Sequence, residues 1–402
     1  MGIVKPLVIG DLVAKVPLIQ GGMGVGVSLS SLAGAVAAEG GIGVISTAQI
    51  GYREPDFDAD PIGANLRAIG TEIRKAREIA KGGILGVNIM VATRKYEEYV
   101  KAAVEAGIDL IISGAGLPME LPKLVGTAKT KLAPIVSSVK SAQVILRYWW
   151  KKYTRLPDAV IIEGPLAGGH LGFHREQLDD IEALHYDEEV RQIIQKVEET
   201  AAEHDTKIPV IMAGGIYNRE DMEHYLEMGA DGVQVATRFV TTYECDASDA
   251  YKQSYIDAKK EDIVIVQSPV GMPGRAILNP FMKKAKEGRI PHGRCHLCIS
   301  TCKPEETPYC ITDALCISHF SRFLVISSFF KSSSGCFSFS MIFSFLAIFH
   351  VLQWTFLNFP FFSIFLVIFH VLKCVFLIFH DFQFSRHIPG PTVCIFIFHV
   401  FQ

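Results

Sequence analysis

The sequence is organised around Ile161-Ile162-Glu163-Gly164-Pro165-Leu166-Ala167-Gly168-Gly169-His170-Leu171-Gly172, a short apolar run that ends in a carboxylate and a glycine-rich turn. Residues 160–162 are apolar and β-branched and are followed by turn residues, which predicts a short buried strand. The glycines let the backbone adopt strained angles and let another molecule approach closely. His170 then follows the carboxyl end of a strand, where α/β enzymes carry their chemistry. A loop histidine without a catalytic role is the alternative.

Strands and helices alternate on both sides of this stretch. Strands are predicted at residues 17–20, 41–46, 84–90, 109–113, 132–139, 158–163, 209–213 and 232–236. Helices are predicted at 30–39, with Ser28 or Ser30 as N-cap, and at 65–81, 95–106, 142–153, 187–204 and 219–228. Eight such strands predict a (β/α)8 barrel, a TIM barrel. An open doubly wound sheet is the alternative, but the dinucleotide-binding pattern of that fold is absent.

Composition limits the classes of partner. The chain has 402 residues, is 49% hydrophobic and carries a net charge of −3, so a large core is expected and a nucleic acid or an anionic membrane surface is not. The first eleven residues contain no long apolar core, so we expect no signal peptide, a cytoplasmic location and reduced cysteines. A small-molecule substrate is expected, and a homodimer is compatible with a barrel of this size.

The chain divides into three parts. Residues 1–245 are predicted to form the barrel, residues 246–316 a lid and cysteine-rich segment, and residues 317–402 an anomalous tail. Only 4 of the 26 phenylalanines precede the tail, and the tail has five charged residues. A transmembrane hairpin is one interpretation of such a composition. The abrupt change of composition favours a shifted reading frame or another sequence error, and no membrane segment is expected in residues 1–316.

Two turns at the predicted barrel mouth are candidates for phosphate binding. Gly214-Gly215 follows the seventh strand, and Thr237 follows the eighth. In barrels these two loops commonly bind phosphate through backbone N–H groups, and a Cβ would block that approach. The alternative is that the glycine pair only makes a tight turn.

Five motifs, in order, resemble the nitronate monooxygenase family. They are residues 17–24, 86–88, 167–172, 213–216 and 229–237, and the resemblance extends from Ile3 to Phe239. The flavin-dependent enoyl-acyl-carrier-protein reductases are relatives of this family. The sequence departs from the family pattern at Glu163, where many members have Gln, and at Pro165-Leu166, which replaces a pair that usually ends in Glu.

The resemblance implies a flavoprotein with FMN at the barrel mouth. The residues it assigns to FMN are Gln20, Gly21, Gly22, Met23, Asn88, Gly168, Gly215, Gln234, Val235, Ala236 and Thr237, with Glu163 close to the same site. His170 has the family's catalytic position. The implied activity is the oxidation of alkyl nitronates with oxygen, with His170 as base. The alternatives are an FMN-dependent enoyl-thioester reductase fed by NAD(P)H or an iron–sulfur cluster, and a non-catalytic barrel that binds a phosphate ligand.

A cysteine cluster follows the barrel. It has the spacing C-x2-C-x3-C-x7-C and comprises Cys295, Cys298, Cys302 and Cys310. In a cytosolic chain this pattern favours a metal over disulfides. A 4Fe-4S cluster, zinc and free thiols are all left open, with His292 and His296 more simply interpreted as bystanders. Residues 271–275, just before the cluster, are predicted to fold over the mouth.

Overall fold

A computed structural model of the protein describes residues 5–316. The strands are β1 (Leu7–Ile9), β2 (Leu12–Ala14), β3 (Leu18–Gln20), β4 (Ile42–Ser46), β5 (Ile84–Met90), β6 (Leu110–Gly114), β7 (Lys131–Val136), β8 (Val160–Glu163), β9 (Gly169–His170), β10 (Val210–Ala213), β11 (Gly232–Val235), β12 (Ile263–Gln267) and β13 (Pro273–Ile277). The helices are α1 (Ser30–Ala38), α2 (Pro61–Ile79), α3 (Tyr96–Glu105), α4 (Leu121–Val125), α5 (Val139–Tyr153), α6 (Arg175–Asp179), α7 (Tyr186–Glu203), α8 (Arg219–Glu227), α9 (Thr237–Val240), α10 (Asp249–Asp257) and α11 (Pro280–Glu287), with 3-10 turns at Glu182–Leu184 and Lys260–Asp262.

A closed barrel of parallel strands forms the centre of the described part of the chain. The order around the barrel is β3-β4-β5-β6-β7-β8-β10-β11, and β11 returns to pair with β3. These eight are the strands expected from the sequence, with bounds shifted by up to three residues, so the predicted (β/α)8 barrel is confirmed. Their carboxyl ends all open at one mouth.

Alternation along each strand separates the barrel interior from the helical layer. One buried cluster contains Ile19, Val44, Ile112, Ile161 and Ile211, the inward-facing residues. A second and larger cluster contains their chain neighbours, such as Leu18 and Ile162, packed with the helices. The β1–β2 hairpin, which the pattern did not predict, adds three buried residues to the interior cluster and covers the amino-terminal end of the barrel.

Helix α1 begins without the predicted serine cap. Its N-cap residue is Leu29, whose side chain makes no cap hydrogen bond. The carboxylate of Asp246 instead accepts hydrogen bonds from the backbone N–H groups of Leu29 (2.8 Å), Ser31 (3.2 Å) and Leu32 (3.2 Å). Ser28 hydrogen-bonds the backbone of Met23 and closes the loop after β3. A carboxylate 214–217 residues away therefore takes the capping role, which local sequence patterns do not reveal.

The segment after the barrel packs on the mouth. Strands β12 and β13 form an antiparallel hairpin, and β13 pairs with β9, which contains His170. The cysteine-rich stretch follows and pairs with the loop after β5 through Thr93 and Ile299. Within residues 5–316, no helix has the length and apolar character needed to cross a bilayer. The tail predicted at 317–402 lies outside the described residues.

Candidate active site

Polar side chains occupy the last inward-facing positions of four barrel strands. The period of two that places Val44, Ile161 and their neighbours in the interior also directs Ser46, Asn88, Glu163 and Gln234 inward, one step nearer the mouth. The lower interior is apolar, and its uppermost layer is polar. Such a layer can hold the polar edges of a ligand above an apolar floor.

The glycine-rich loop after β3 lies directly on this polar layer. A Cβ atom on Gly21 would lie 3.2 Å from Cγ of Gln234, and a Cβ atom on Gly22 would lie 2.5 Å from Cβ of Asn88. At Gly24 it would lie 2.7 Å from Cβ of Ala48 and 3.1 Å from Oγ of Ser46. A side chain at Gly22 or Gly24 would therefore clash, and the backbone at these glycines lies against the mouth side chains.

Three residues expected near the flavin have structural contacts of their own. The amide of Gln20 is fully buried, accepts from Val44 N (3.1 Å) and donates to Gly21 O, so it links β3 to β4. Val235 packs in the outer cluster, and its carbonyl accepts from Gly21 N (2.9 Å). Met23 is partly buried against the same cluster. The side chains of Gln20 and Val235 give no support to their assignment to FMN.

Residues 164–172, which follow β8 and contain His170, are called the histidine loop. The predicted phosphate turns meet around it. Gly168 and Thr237 are neighbours across the mouth, since a Cβ on Gly168 would lie 3.9 Å from Oγ1 of Thr237. Gly214 and Gly215 have φ values of +96° and +81° and pack against Ala167 and Leu166. These positive φ values favour glycine for the turn itself, whether or not the turn also binds phosphate.

Gly168, Gly215 and Thr237 are nevertheless exposed residues, and Ala236 is partly exposed. A ligand can therefore approach these turns from solvent. Phosphate binding there stays a prediction.

His170 lies on the histidine loop and contacts the lid, the β12–β13 hairpin with the turn between its strands. In β9 it pairs with Gly274 of β13, and its Nε2 lies 2.7 Å from Oγ of the buried Ser268. Within the described residues Nδ1 has no hydrogen-bond partner. Burial lowers the pKa of His170 from its ordinary value, so the neutral imidazole predominates at neutral pH. An imidazole in this state, with one nitrogen anchored and the other unbonded, can act as a base.

Arg275 fastens the lid to the histidine loop. Its Nη1 donates to the carbonyl oxygens of Pro165 (2.6 Å) and Ala167 (2.7 Å). On the other side of the loop, Ser137 Oγ donates to Gly172 O (3.1 Å). Both ends of the turn are thus fixed by neighbouring elements. Residues 271–275 do lie against this turn, whereas no local pattern had identified Ser268.

Glu163 contributes a second titratable group to the mouth. Burial raises the pKa of its carboxyl to about 7, and no described side chain hydrogen-bonds that carboxyl. At neutral pH about half of the molecules carry the neutral acid. The sequence predicted a negative charge at Glu163, close to the expected FMN site. Because its pKa is raised, Glu163 is only partly ionised at neutral pH.

The cysteine-rich segment packs on the loop between β5 and α3. Arg94 N donates to Cys298 O (3.1 Å), and Ser300 N donates to Ala92 O (2.9 Å). The described cysteines, Cys245, Cys295, Cys298, Cys302, Cys310 and Cys316, are free thiols in this part of the chain. No three of the thiols of Cys295, Cys298, Cys302 and Cys310 lie together at metal-ligating distance in this part of the chain. Their prediction as an iron–sulfur or zinc site gains no support from this arrangement.

Comparison with known proteins identifies relatives that share the barrel. The nitronate monooxygenase family model matches residues 5–303. A probable nitronate monooxygenase of Staphylococcus saprophyticus is 26% identical over 311 residues, which cover 70% of this chain and 80% of that protein. The solved structure of FabK from Thermotoga maritima has a TM-score of 0.53 and 27% identity, covering 71% of this chain and 76% of its own.

A nitroalkane oxidase from Streptomyces ansochromogenes shares the fold, with a TM-score of 0.53, 22% identity and coverage of 67% of this chain and 78% of its own. The family match includes every strand of the barrel, the histidine loop and the lid. The resemblance seen in the five sequence motifs is thereby confirmed over a longer stretch. The chain belongs to the nitronate monooxygenase family and is an oxidoreductase.

Proposed function

We propose that the chain is an FMN-dependent oxidoreductase that oxidises alkyl nitronates with molecular oxygen and uses His170 to form the nitronate from a neutral nitroalkane. The observation that carries this proposal is the geometry of His170. Its Nε2 lies 2.7 Å from Oγ of Ser268, and its Nδ1 has no hydrogen bond to a described residue. His170 lies at the mouth of a barrel that belongs to the nitronate monooxygenase family.

The residues at the mouth fit FMN. Oε1 of Gln234 is buried and has no hydrogen-bond partner in the described part of the chain, so a ligand N–H group would satisfy it. Gly21 and Gly22 keep the loop above the polar layer free of side chains. Asn88 faces the same space, and its amide has no hydrogen bond to a described residue. These groups would hold the ring, which when bound would take electrons from the nitronate and pass them to oxygen.

The role of His170 is proton removal. A neutral nitroalkane has an acidic C–H beside the nitro group, and breaking that bond leaves its electron pair delocalised on the nitro oxygens. Nδ1 takes the proton, and the resulting imidazolium keeps its Nε2–H directed at Ser268. A nitronate supplied as the anion needs no such step. The base is therefore required for nitroalkanes and dispensable for nitronates.

A second candidate function is reduction of an enoyl thioester. The observation that favours it is the similarity to FabK, an enoyl-ACP reductase, at 27% identity and a TM-score of 0.53. In that reaction His170 would hydrogen-bond the thioester or donate a proton. The two functions differ in electron donor, because the reductase needs NAD(P)H or a metal cluster and the nitronate reaction needs neither.

The test uses the full-length chain loaded with FMN. Oxygen consumption is measured with an alkyl nitronate and with its parent nitroalkane, and NAD(P)H oxidation is measured with an enoyl thioester. We expect oxygen consumption with both nitro compounds, and His170→Ala should lower kcat/KM for the nitroalkane by about 100-fold or more while leaving the nitronate rate within about twofold.

Two results of the activity assays would reject the proposal. One is turnover of the enoyl thioester with no reaction of the nitronate, which would establish the second candidate. The other is an equal loss with both nitro compounds in the His170 variant, which would remove the base assignment. A chain that retains no FMN would contradict both candidates.

A further inference from the structure

We propose a zinc site formed by His296, Cys310 and Asp313, outside the barrel mouth and with a ligand set different from the four cysteines of the sequence motif. One ligand atom from each residue lies within 4.8 Å of the other two, and all three residues are partly buried. Among the described residues, these three side chains form a group of histidine, cysteine and acidic ligands close enough to share one metal ion.

The side chain of His296 is oriented as a metal ligand would be. Its Nε2 lies 3.1 Å from Oδ1 of Asp58, and its ring stacks on Phe57 with a centroid distance of 5.0 Å. Nδ1 is buried, has no hydrogen-bond partner in the described residues, and lies 3.7 Å from Oδ1 of Asp313. Only 12% of the side chain is exposed. In the tautomer that donates Nε2–H to the exposed carboxylate of Asp58, Nδ1 carries the lone pair and faces Asp313.

Histidine ligands of zinc in proteins almost always donate their other N–H group to a carboxylate, a carbonyl or water. The pair of Asp58 and His296 reproduces this outer contact. A buried imidazole nitrogen without a donor is unfavourable in an ordinary core, because the lost hydrogen bond to water is not replaced. A cation at the centre of the cluster would satisfy it.

Cys310 and Asp313 lie on one turn of backbone. Ala314 N donates to Cys310 O (3.0 Å), and residues 311–316 are helical, so side chains three positions apart lie on the same face. Thiolate sulfur, imidazole nitrogen and carboxylate oxygen are the three ligand types of protein zinc sites. When zinc binds, the Cys310 thiol proton passes to solvent, a Zn–S bond forms, and no oxidation state changes.

Three protein ligands leave one coordination position for water or a further thiol. Cys298, Cys302 and Cys316 interact electrostatically with Cys310 and are the candidate thiols for that position. Cys295, in contrast, is exposed and is not part of the close group. The proposed site therefore needs Cys310 but not Cys295, whereas a four-cysteine site would need both.

The site joins the cysteine-rich segment to the barrel. Gln49 Nε2 donates to His296 O and to Thr312 Oγ1, both at 3.3 Å. Gln49 and Asp58 belong to the loop between β4 and α2, on the mouth side of the barrel. Zinc would fix the segment on this loop, and its removal should lower the thermal stability of the segment without removing a group from the active site.

The test titrates zinc into the full-length, chelator-stripped chain in competition with a chromophoric chelator, with cobalt(II) as a spectroscopic substitute. We expect one equivalent of zinc and a cobalt spectrum with the weak thiolate charge transfer of one or two sulfur ligands. Asp58→Asn should weaken zinc binding about 10- to 100-fold, and His296→Ala or Asp313→Asn should weaken it further. Cys295→Ser is the matched control and should bind zinc as the unsubstituted chain does.

Circular dichroism checks that each variant is folded, and the conservative Asp58→Asn variant tests the site without removing a ligand. The proposal is overturned if the unsubstituted chain binds no zinc. It is also overturned if Cys295→Ser loses the metal while His296→Ala keeps it, or if the cobalt spectrum has the intensity of four thiolates. Either of the last two results would establish the four-cysteine site instead.

Discussion

Ser268 tests whether His170 works as a base, because its hydroxyl is the partner of Nε2 among the described residues. The change is Ser268→Ala. It removes one oxygen atom, 2.7 Å from the imidazole, from a position that is only 5% exposed. Ser268 does not touch the proton that His170 removes, so it is a positioning residue.

The magnitude follows from the change in charge on His170. Before proton transfer the Nε2–H···Oγ hydrogen bond joins neutral groups and contributes about 0.5–1.5 kcal/mol. After transfer its donor is an imidazolium, and such bonds contribute about 1.5–3 kcal/mol. The difference, about 1–1.5 kcal/mol, stabilises the protonated state. At about 1.4 kcal/mol per tenfold in rate, kcat/KM for a nitroalkane should fall about fivefold to tenfold.

The assay is oxygen consumption by the FMN-loaded chain over a range of pH, with a nitroalkane and with its nitronate. The nitroalkane rate should fall and its acid limb should move to lower pH, because the imidazolium has lost a stabilising acceptor. The nitronate rate should not change. Ser300→Ala is the control, since it removes an exposed hydroxyl that donates to Ala92 O and lies away from His170. An equal decrease with both substrates would refute the reasoning and assign Ser268 to lid structure alone.

Three further predictions concern the lid, the α1 cap and the mouth carboxyl. Arg275→Lys should reduce the free energy of unfolding by about 2–4 kcal/mol, because the lysine nitrogen lies one bond short of the arginine Nη1 that makes both short bonds to the histidine loop; urea denaturation measures this, and the exposed Arg289→Lys should change little. Asp246→Asn should cost about 1–2 kcal/mol, since it replaces a carboxylate that accepts three N–H groups at a helix N-terminus; equal stability of this variant and Asp249→Asn in the same assay would contradict the capping role. Glu163→Gln should remove a rise in KM for the anionic nitronate as pH increases through about 7, because the glutamate pKa is raised and its charge appears only above that pH; a KM with the same pH dependence in both chains would exclude this role.

Local sequence patterns were sufficient for the barrel. Apolar β-branched runs, glycine stops and helical periodicity identified all eight strands, because strand and helix preferences act within a few residues of the chain. The same patterns missed the β1–β2 hairpin, whose three-residue strands are too short to show a period. They also placed the α1 cap on a serine, whereas the acceptor is Asp246.

At the candidate site, the sequence identified the histidine and the glycines but not their partners. Ser268 and Arg275 act through contacts between residues 98 and 110 positions apart in the chain. The sequence predicted that residues 271–275 fold over the mouth, but no local pattern indicated Ser268 or the carbonyl groups that Arg275 binds. Gln20 was expected at the cofactor, yet its amide completes the barrel seam. The direction of a polar side chain depends on which neighbour needs a hydrogen bond, and that neighbour is known only after folding.

The sequence by itself determined the barrel, the mouth at which its strands end, and the family to which the chain belongs, because these depend on backbone periodicity and on short motifs that keep their spacing. Only the tertiary structure decided that the lid contacts His170 through Ser268, that burial raises the pKa of Glu163, and that His296 rather than Cys295 lies with Cys310 and Asp313. Hydrogen bonding, desolvation and ligand geometry are set by groups far apart in the chain, and they exist only when the fold has brought those groups together.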